Sequence, residues 1–152
     1  MKEDTGRYPF SSLIERPKIV WPNGARVALW VSPNVEFYEL NPPSNPGRAV
    51  WSRPYPDVLN YSHRDYGNRI GVWRLIEVMQ RFGVRASVVL NAALCDHIPE
   101  VVDACSKLGW EFLSHGIYNT RVIYGMSDDQ LREMIGDSVE TIHKRTDRKS
   151  VV

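Results

Sequence analysis

A chain of 152 residues suits one domain with one sizeable core, and its 43% hydrophobic and 24% charged residues are ordinary for a globular protein. Nineteen Lys and Arg against eighteen Asp and Glu leave a net charge of +1 with no long run of one sign. That balance argues against a nucleic-acid footprint and a polybasic membrane patch. Cys95 and Cys105 are the two cysteines; they form no C-x-x-C pair and sit among apolar neighbours, so buried reduced thiols are expected. The charged start Met1-Lys2-Glu3-Asp4 and the lack of a long apolar segment point to the cytoplasm, with no membrane partner.

Residues 1–18 are polar, lack a clear period, and read as an arm lying on the surface. Pro22-Asn23-Gly24 marks a turn. It delivers the chain into Arg26-Val27-Ala28-Leu29-Trp30-Val31-Ser32, an apolar run expected to form a strand buried on both faces. From Pro33 to Asn68 the prolines at 42, 43, 46, 54 and 56 predict a long loop carrying Trp51, Tyr55, Tyr61 and Tyr66. Loops longer than about 12–15 residues are usually functional or disordered. Its flat aromatics suit stacking on a sugar or heterocycle and equally suit pinning the loop down.

Val72, Leu75, Ile76, Met79 and Phe82 recur at helical spacing, with Gly83 as the stop. Arg85 to Asn91 is a second strand. Ile98, Val101, Val102, Cys105 and Leu108 mark a helix started by Pro99 and ended by Gly109. A third strand at 110–113 ends at Ser114-His115-Gly116. Ser127-Asp128-Asp129-Gln130 is a capping-box signature, and Leu131, Met134, Ile135, Val139 and Ile142 form the expected buried stripe of a last helix.

Strand and helix alternate three times, so an α/β fold with a parallel sheet follows, either doubly wound or curling into a barrel. Parallel strands share one carboxyl rim, the place where such sheets put their chemistry. That rim collects Ser32, Asn34 and Glu36, then Asn91, then Ser114 and His115. A carboxylate, amides and an imidazole in one place suit general acid–base or metal-assisted hydrolysis. The chain contains neither G-x-G-x-x-G nor a Walker pattern, which argues against nucleotide chemistry.

Several pieces in this order resemble the polysaccharide deacetylase (NodB-homology) superfamily, especially its intracellular peptidoglycan-deacetylase-like and allantoinase-like branch. They are Trp21-Pro22-Asn23-Gly24-Ala25-Arg26-Val27-Ala28, Asp65-Tyr66-Gly67-Asn68-Arg69-Ile70-Gly71-Val72, Arg85-Ala86-Ser87-Val88 and Glu111-Phe112-Leu113-Ser114-His115-Gly116. The resemblance runs from about Lys18 to Arg145 and implies the N-terminal part of a distorted (β/α) barrel of parallel strands, over residues 19–146. It implies hydrolysis of a carbon–nitrogen bond other than a peptide bond, in carbohydrate metabolism. Residues 147–152 do not resemble the family's continuation and read as a non-native tail; the chain alone is then expected to be inactive.

The family's first motif pairs two acidic residues, a base and a metal ligand; Asn34-Val35-Glu36-Phe37 stands there with one carboxylate. Its second motif is His-x-x-x-His, both histidines binding metal; His115-Gly116-Ile117-Tyr118-Asn119 keeps the first and has an amide in place of the second. An amide oxygen is a poor zinc ligand beside imidazole or carboxylate. The resemblance therefore implies Glu36 and His115 as catalytic residues, with His115 and Asn119 at the metal positions holding a divalent ion such as zinc weakly, if at all. Asn34, Arg69, Asn91 and Asn119 are the substrate-contact candidates, Arg69 equally suiting a salt bridge at the helix entry. His63, His97 and His143 match no motif. The readings left open are a deacetylase-like hydrolase of a glycan, a metal-independent hydrolase of an amide or cyclic ureide, and a non-catalytic binding module; a homo-oligomer is compatible with each.

Overall fold

The computed structural model describes residues 9–43 and 55–147. Trp51, the prolines at 46 and 54, and all but Asp147 of the expected tail at 147–152 lie outside them. Three parallel strands, β1 (Asn34–Val35), β2 (Ser87–Leu90) and β3 (Glu111–Ser114), lie side by side in chain order. Between them run α1 (Val58–Tyr66), a π turn (Gly67–Gly71) and α2 (Val72–Arg81), then α3 (Leu94–His97) and α4 (Pro99–Lys107); α5 (Asp128–Thr146) follows β3. The alternation read from the sequence is therefore present as an α/β fold with a parallel sheet.

The first strand departs from expectation. Residues 26–30 do not form a strand, and Val27, Leu29 and Trp30 are exposed. Val31 makes an isolated bridge to Ala86, and pairing proper begins only at Asn34. The interruption has a local cause. Val31, Pro33 and Val35 offer their carbonyls to the amides of Ser87, Val89 and Asn91 at 3.0, 3.0 and 3.2 Å. Pro33 has no N–H to return, so the Ser87 carbonyl would lack its ladder partner. The Ser32 hydroxyl donates to that carbonyl instead, at 2.9 Å. Before Val31 the run extends past the beginning of β2, and no ladder exists there to bury it.

The second departure is helix where a loop was expected. Asp57 caps α1 by accepting from the Asn60 amide at 3.0 Å, and the chain stays helical through the π turn into α2. Gly67 and Gly71 look like breakers in sequence, and α1 buries no residue, so it carries no apolar stripe to betray it. Within α2, Val72, Ile76 and Met79 are buried as expected, but Phe82 is exposed at its end. Asn23 and Gly24, at φ 58° and 68°, make the tight turn expected at Pro22.

The core gathers Val88 and Leu90 of β2, Phe112 of β3, Leu94, Val101, Val102 and Cys105 of α3 and α4, Trp110, and Ile142 of α5. Both cysteines are buried and reduced, and burial pushes their thiols up to about 11. The capping box forms: Ser127 accepts from the Gln130 amide, and the Gln130 side chain accepts from the Ser127 amide. The expected stripe of α5 is only partly buried, because the helix meets the body of the protein through its second half. Ile142 is fully buried there while Ile135 is exposed. Ser138 bonds Ser114 at 2.7 Å, and Arg145 pairs with Asp103 of α4 through both of its oxygens. No helix among the described residues is long and apolar enough to cross a membrane.

Phe112→Ala should cost about 3–5 kcal/mol of stability in a denaturant titration. Phe82→Ala, at the exposed end of the apolar spacing of α2, should change it by about 0.5 kcal/mol or less. Equal losses at the two positions would contradict this assignment of the core.

Candidate functional site

Asn91 closes β2 and is completely buried. Its side-chain oxygen accepts from the Phe37 amide at 2.9 Å, and its nitrogen donates to the His115 carbonyl at 2.6 Å. One amide thus ties the residue after Glu36 to the backbone of His115, across the central strand. Asn91 was a candidate for substrate contact; with both ends engaged and no exposed surface, it is a strut. The main chain reinforces the same closure. The amides of Ala92, Ala93 and Asn119 donate to Gly116, Ile117 and Phe37 at 2.9, 3.1 and 3.0 Å.

The consequence is a meeting of the two expected chemical groups. His115 Nε2 lies 3.3 Å from Glu36 Oε1, with the imidazole side chain 36% exposed and the carboxylate 19%. Both are within reach of a reactant at the surface. The other carboxylate oxygen, Oε2, accepts from the Tyr38 hydroxyl at 3.1 Å, and the Asn119 side-chain nitrogen donates to that same hydroxyl at 2.5 Å. Glu36 and Tyr38 are two apart in the chain just past β1, and their side chains meet. Burial, and then the adjacent Glu36 carboxylate, push the Tyr38 phenol above its ordinary value, while Arg64 lying 5.1 Å over the ring acts in the opposite sense.

A cleft of about 310 Å³ opens beside the carboxylate, lined by Asn34, Glu36, Tyr38, His63, Arg64 and Asn68 among others. That is near the lower end for small-molecule sites. The π turn supplies its floor: Asn68 is buried and donates to the Glu36 carbonyl at 2.8 Å. Asn34 stands where a substrate contact was expected. Arg69 does not line the cleft; its guanidinium pairs with Asp65 one turn back, so the salt-bridge alternative describes it. Tyr61 and Tyr66 lie on α1, while Tyr38, Arg64 and Asn68 form part of the site without having been singled out in the sequence.

His97 matched no motif, yet it stacks on Phe37 with ring centroids 4.3 Å apart, and Tyr118 packs edge-on to both. Arg121 sits 4.1 Å over the Tyr118 ring and pairs with Glu39, which also accepts from Thr120 at 2.6 Å. These contacts fasten the loop bearing Asn119 to the segment bearing Tyr38.

Among the described residues no three His, Cys, Asp or Glu side chains converge. Glu36 and His115 supply two donors, and Asn119, whose nitrogen bonds Tyr38, offers only a neutral amide oxygen, a poor zinc ligand. Zinc sites take three or four protein ligands. The described residues therefore do not by themselves fit a firmly held zinc ion.

No family model matches the chain, and no curated protein matches it. Solved structures do. One named a probable polysaccharide deacetylase, from Pseudomonas aeruginosa PAO1, superposes with a TM-score of 0.74 at 28% identity over 95% of this chain and 52% of its own. A Puue allantoinase superposes with a TM-score of 0.73 at 23% identity, over 94% of this chain and 52% of its own.

This chain has a polysaccharide-deacetylase fold.

The three-stranded parallel sheet corresponds to the N-terminal part of that deacetylase barrel, and the chain spans about half the length of these structures. At the family level the resemblance is to deacetylase-like hydrolases. A mutant of a CE4 family pseudoenzyme with restored activity shares the fold at a TM-score of 0.50 and 19% identity, over 55% of this chain. The deacetylase fold therefore also occurs in a protein described as a pseudoenzyme.

Glu39 offers a check on the loop clamp. Hydrogen bonding from Arg121 holds its carboxyl below the ordinary value of 4.5. A depressed carboxylate contributes stability that is complete above its unfolded value and is lost as the pH falls through the folded one. With Arg121 47% exposed, that contribution is modest, about 1 kcal/mol. Glu39→Gln should therefore lower the melting temperature at pH 7 and leave it unchanged in strong acid. A deficit that persists undiminished into acid would contradict the pairing.

Proposed function

We propose that the chain carries the base-bearing rim of a hydrolase that cleaves carbon–nitrogen bonds other than peptide bonds, in small amides or cyclic ureides. The observation that carries this reading is the 3.3 Å approach of His115 Nε2 to Glu36 Oε1, with Glu36 also lining an open cleft between the β1 segment and the helical residues 63–75. Glu36 takes a proton from water as the water oxygen attacks the carbonyl carbon. His115, whose Nε2 lies 3.3 Å from the Glu36 carboxylate, presents that nitrogen to the carbonyl oxygen and stabilises the charge that develops there. Collapse of the tetrahedral intermediate breaks the carbon–nitrogen bond, and the proton held on Glu36 passes to the leaving nitrogen. Orienting the carbonyl is the part of His115, and the Asn119 side-chain nitrogen is engaged by Tyr38.

Among the described residues two donors stand where zinc takes three or more, which favours the amide or ureide reading over a metal-dependent glycan deacetylase. The glycan reading draws its support from the 28% identical neighbour, named a probable polysaccharide deacetylase. Assays on N-acetylchitooligosaccharides and on allantoin, with and without a chelator and with this rim carried in a complete barrel, separate the two. Turnover of the ureide that survives chelation supports the first reading; turnover confined to the glycan and abolished by chelation supports the second. In either case Glu36→Gln should reduce kcat by about 10²- to 10⁴-fold, and His115→Ala by about 10²- to 10³-fold. A Glu36→Gln variant with undiminished turnover would remove Glu36 from the chemistry.

A further inference from the structure

The contact that the motif comparison does not account for is the phenol between Asn119 and Glu36. We propose that Tyr38 is a positioning residue, and that Asn119, Tyr38 and Glu36 form a directed hydrogen-bond relay fixing the carboxylate for its work as base. The inference rests on the hydrolase reading above and adds to it what holds the base in place.

The direction of the relay follows from counting protons. Ionised Glu36 has no proton to give, so Oε2 can only accept, and across 3.1 Å the Tyr38 hydroxyl must be the donor. A phenol has one proton, so the same hydroxyl must accept from Asn119. Asn119 can meet that demand only by presenting its Nδ2, which is how it lies. Turning the amide over would set two acceptors against one proton and leave one of the contacts repulsive. The orientation of each group is thus dictated by the carboxylate at the end of the chain.

The outcome is an asymmetric carboxylate. Oε2 is held by the phenol, while Oε1 faces His115 and the surface. Oε1, 3.3 Å from His115 Nε2, is the oxygen free of the phenol, and it is the one that takes a proton from water. The relay is anchored at both ends. Asn68 fixes the Glu36 carbonyl, and the Asn119 amide donates to the Phe37 carbonyl at 3.0 Å. Arg64 of α1 lies over the Tyr38 ring, and His63 also lines the cleft on that side. At the position of the family's second histidine, then, this chain has an amide that serves the base through a phenol.

A merely structural tyrosine would work through its ring, which phenylalanine keeps. Tyr38→Phe should therefore leave the melting temperature nearly unchanged and KM within about threefold, while kcat falls by about 10- to 100-fold. Asn119→Leu, which removes the donor at similar size, should lower kcat in the same way. The double variant should then be no worse than Tyr38→Phe alone, because the two residues act as one unit. Additive losses, or a raised KM at unchanged kcat, would overturn the relay while leaving the hydrolase reading intact. Undiminished turnover in Glu36→Gln would instead overturn the reading and the role together.

A second readout needs no turnover. With ¹³C-carboxyl-labelled glutamate, the Glu36 band is the infrared difference between the protein and its Glu36→Gln variant. It should move in Tyr38→Phe, and move in the same sense in Asn119→Leu. A band that stays in place in Tyr38→Phe would show that the phenol does not donate to Glu36.

Discussion

The site depends on one buried amide. Asn91 stands at the end of the central strand, accepting from the Phe37 amide and donating to the His115 carbonyl, with none of its surface exposed. A parallel sheet guarantees that three strand ends share a rim, but it does not decide how closely the segments leaving those ends approach each other. A buried side-chain amide with both polar ends satisfied does decide it, because leaving either end unpaired would cost about 1–3 kcal/mol. Glu36 and His115 lie next to, or at, the two backbone groups that Asn91 joins. Their 3.3 Å contact is the downstream result of a satisfied hydrogen-bond inventory in the interior.

Around that strut the molecule builds outward in two shells. The inner one fixes orientation: Asn68 from the π turn holds the Glu36 carbonyl, and Tyr38 and Asn119 hold its carboxylate. The outer one fixes the loops: Glu39 joins Thr120 and Arg121, and His97 stacks on Phe37 against Tyr118. π turns commonly mark functional positions, because the extra residue turns a side chain out of register with the helix. Here that displacement turns Asn68 inward, buried beneath the cleft.

What could be read in advance followed strong local signals. The apolar runs of β2 and β3, the capping box at Ser127 and the helical spacing through Val101, Val102 and Cys105 each reflect burial, which composition and period encode directly. The failures share a cause as well. Val27, Leu29 and Trp30 look like a buried strand because apolarity does not reveal whether a ladder partner exists, and Pro33 removes one of the hydrogen bonds a strand needs. Helix α1 was invisible because it buries nothing, and the prolines before it marked the whole stretch as loop. Glu36 and His115 were legible from their places at strand ends. Tyr38 carried a usable sign, its place two residues after Glu36, just past the end of β1. The role of Asn91 was not legible, since its partners are backbone groups 54 and 24 residues away.

The central claim is that Glu36 and His115 meet at one rim of the folded protein. A nuclear Overhauser spectrum of the protein selectively labelled at histidine and glutamate tests it without substrate or activity. The account predicts a cross-peak between the His115 Hε1 proton and the Glu36 Hγ protons. A well-dispersed spectrum of folded protein in which that cross-peak is missing, with His115 contacting other side chains instead, would contradict it.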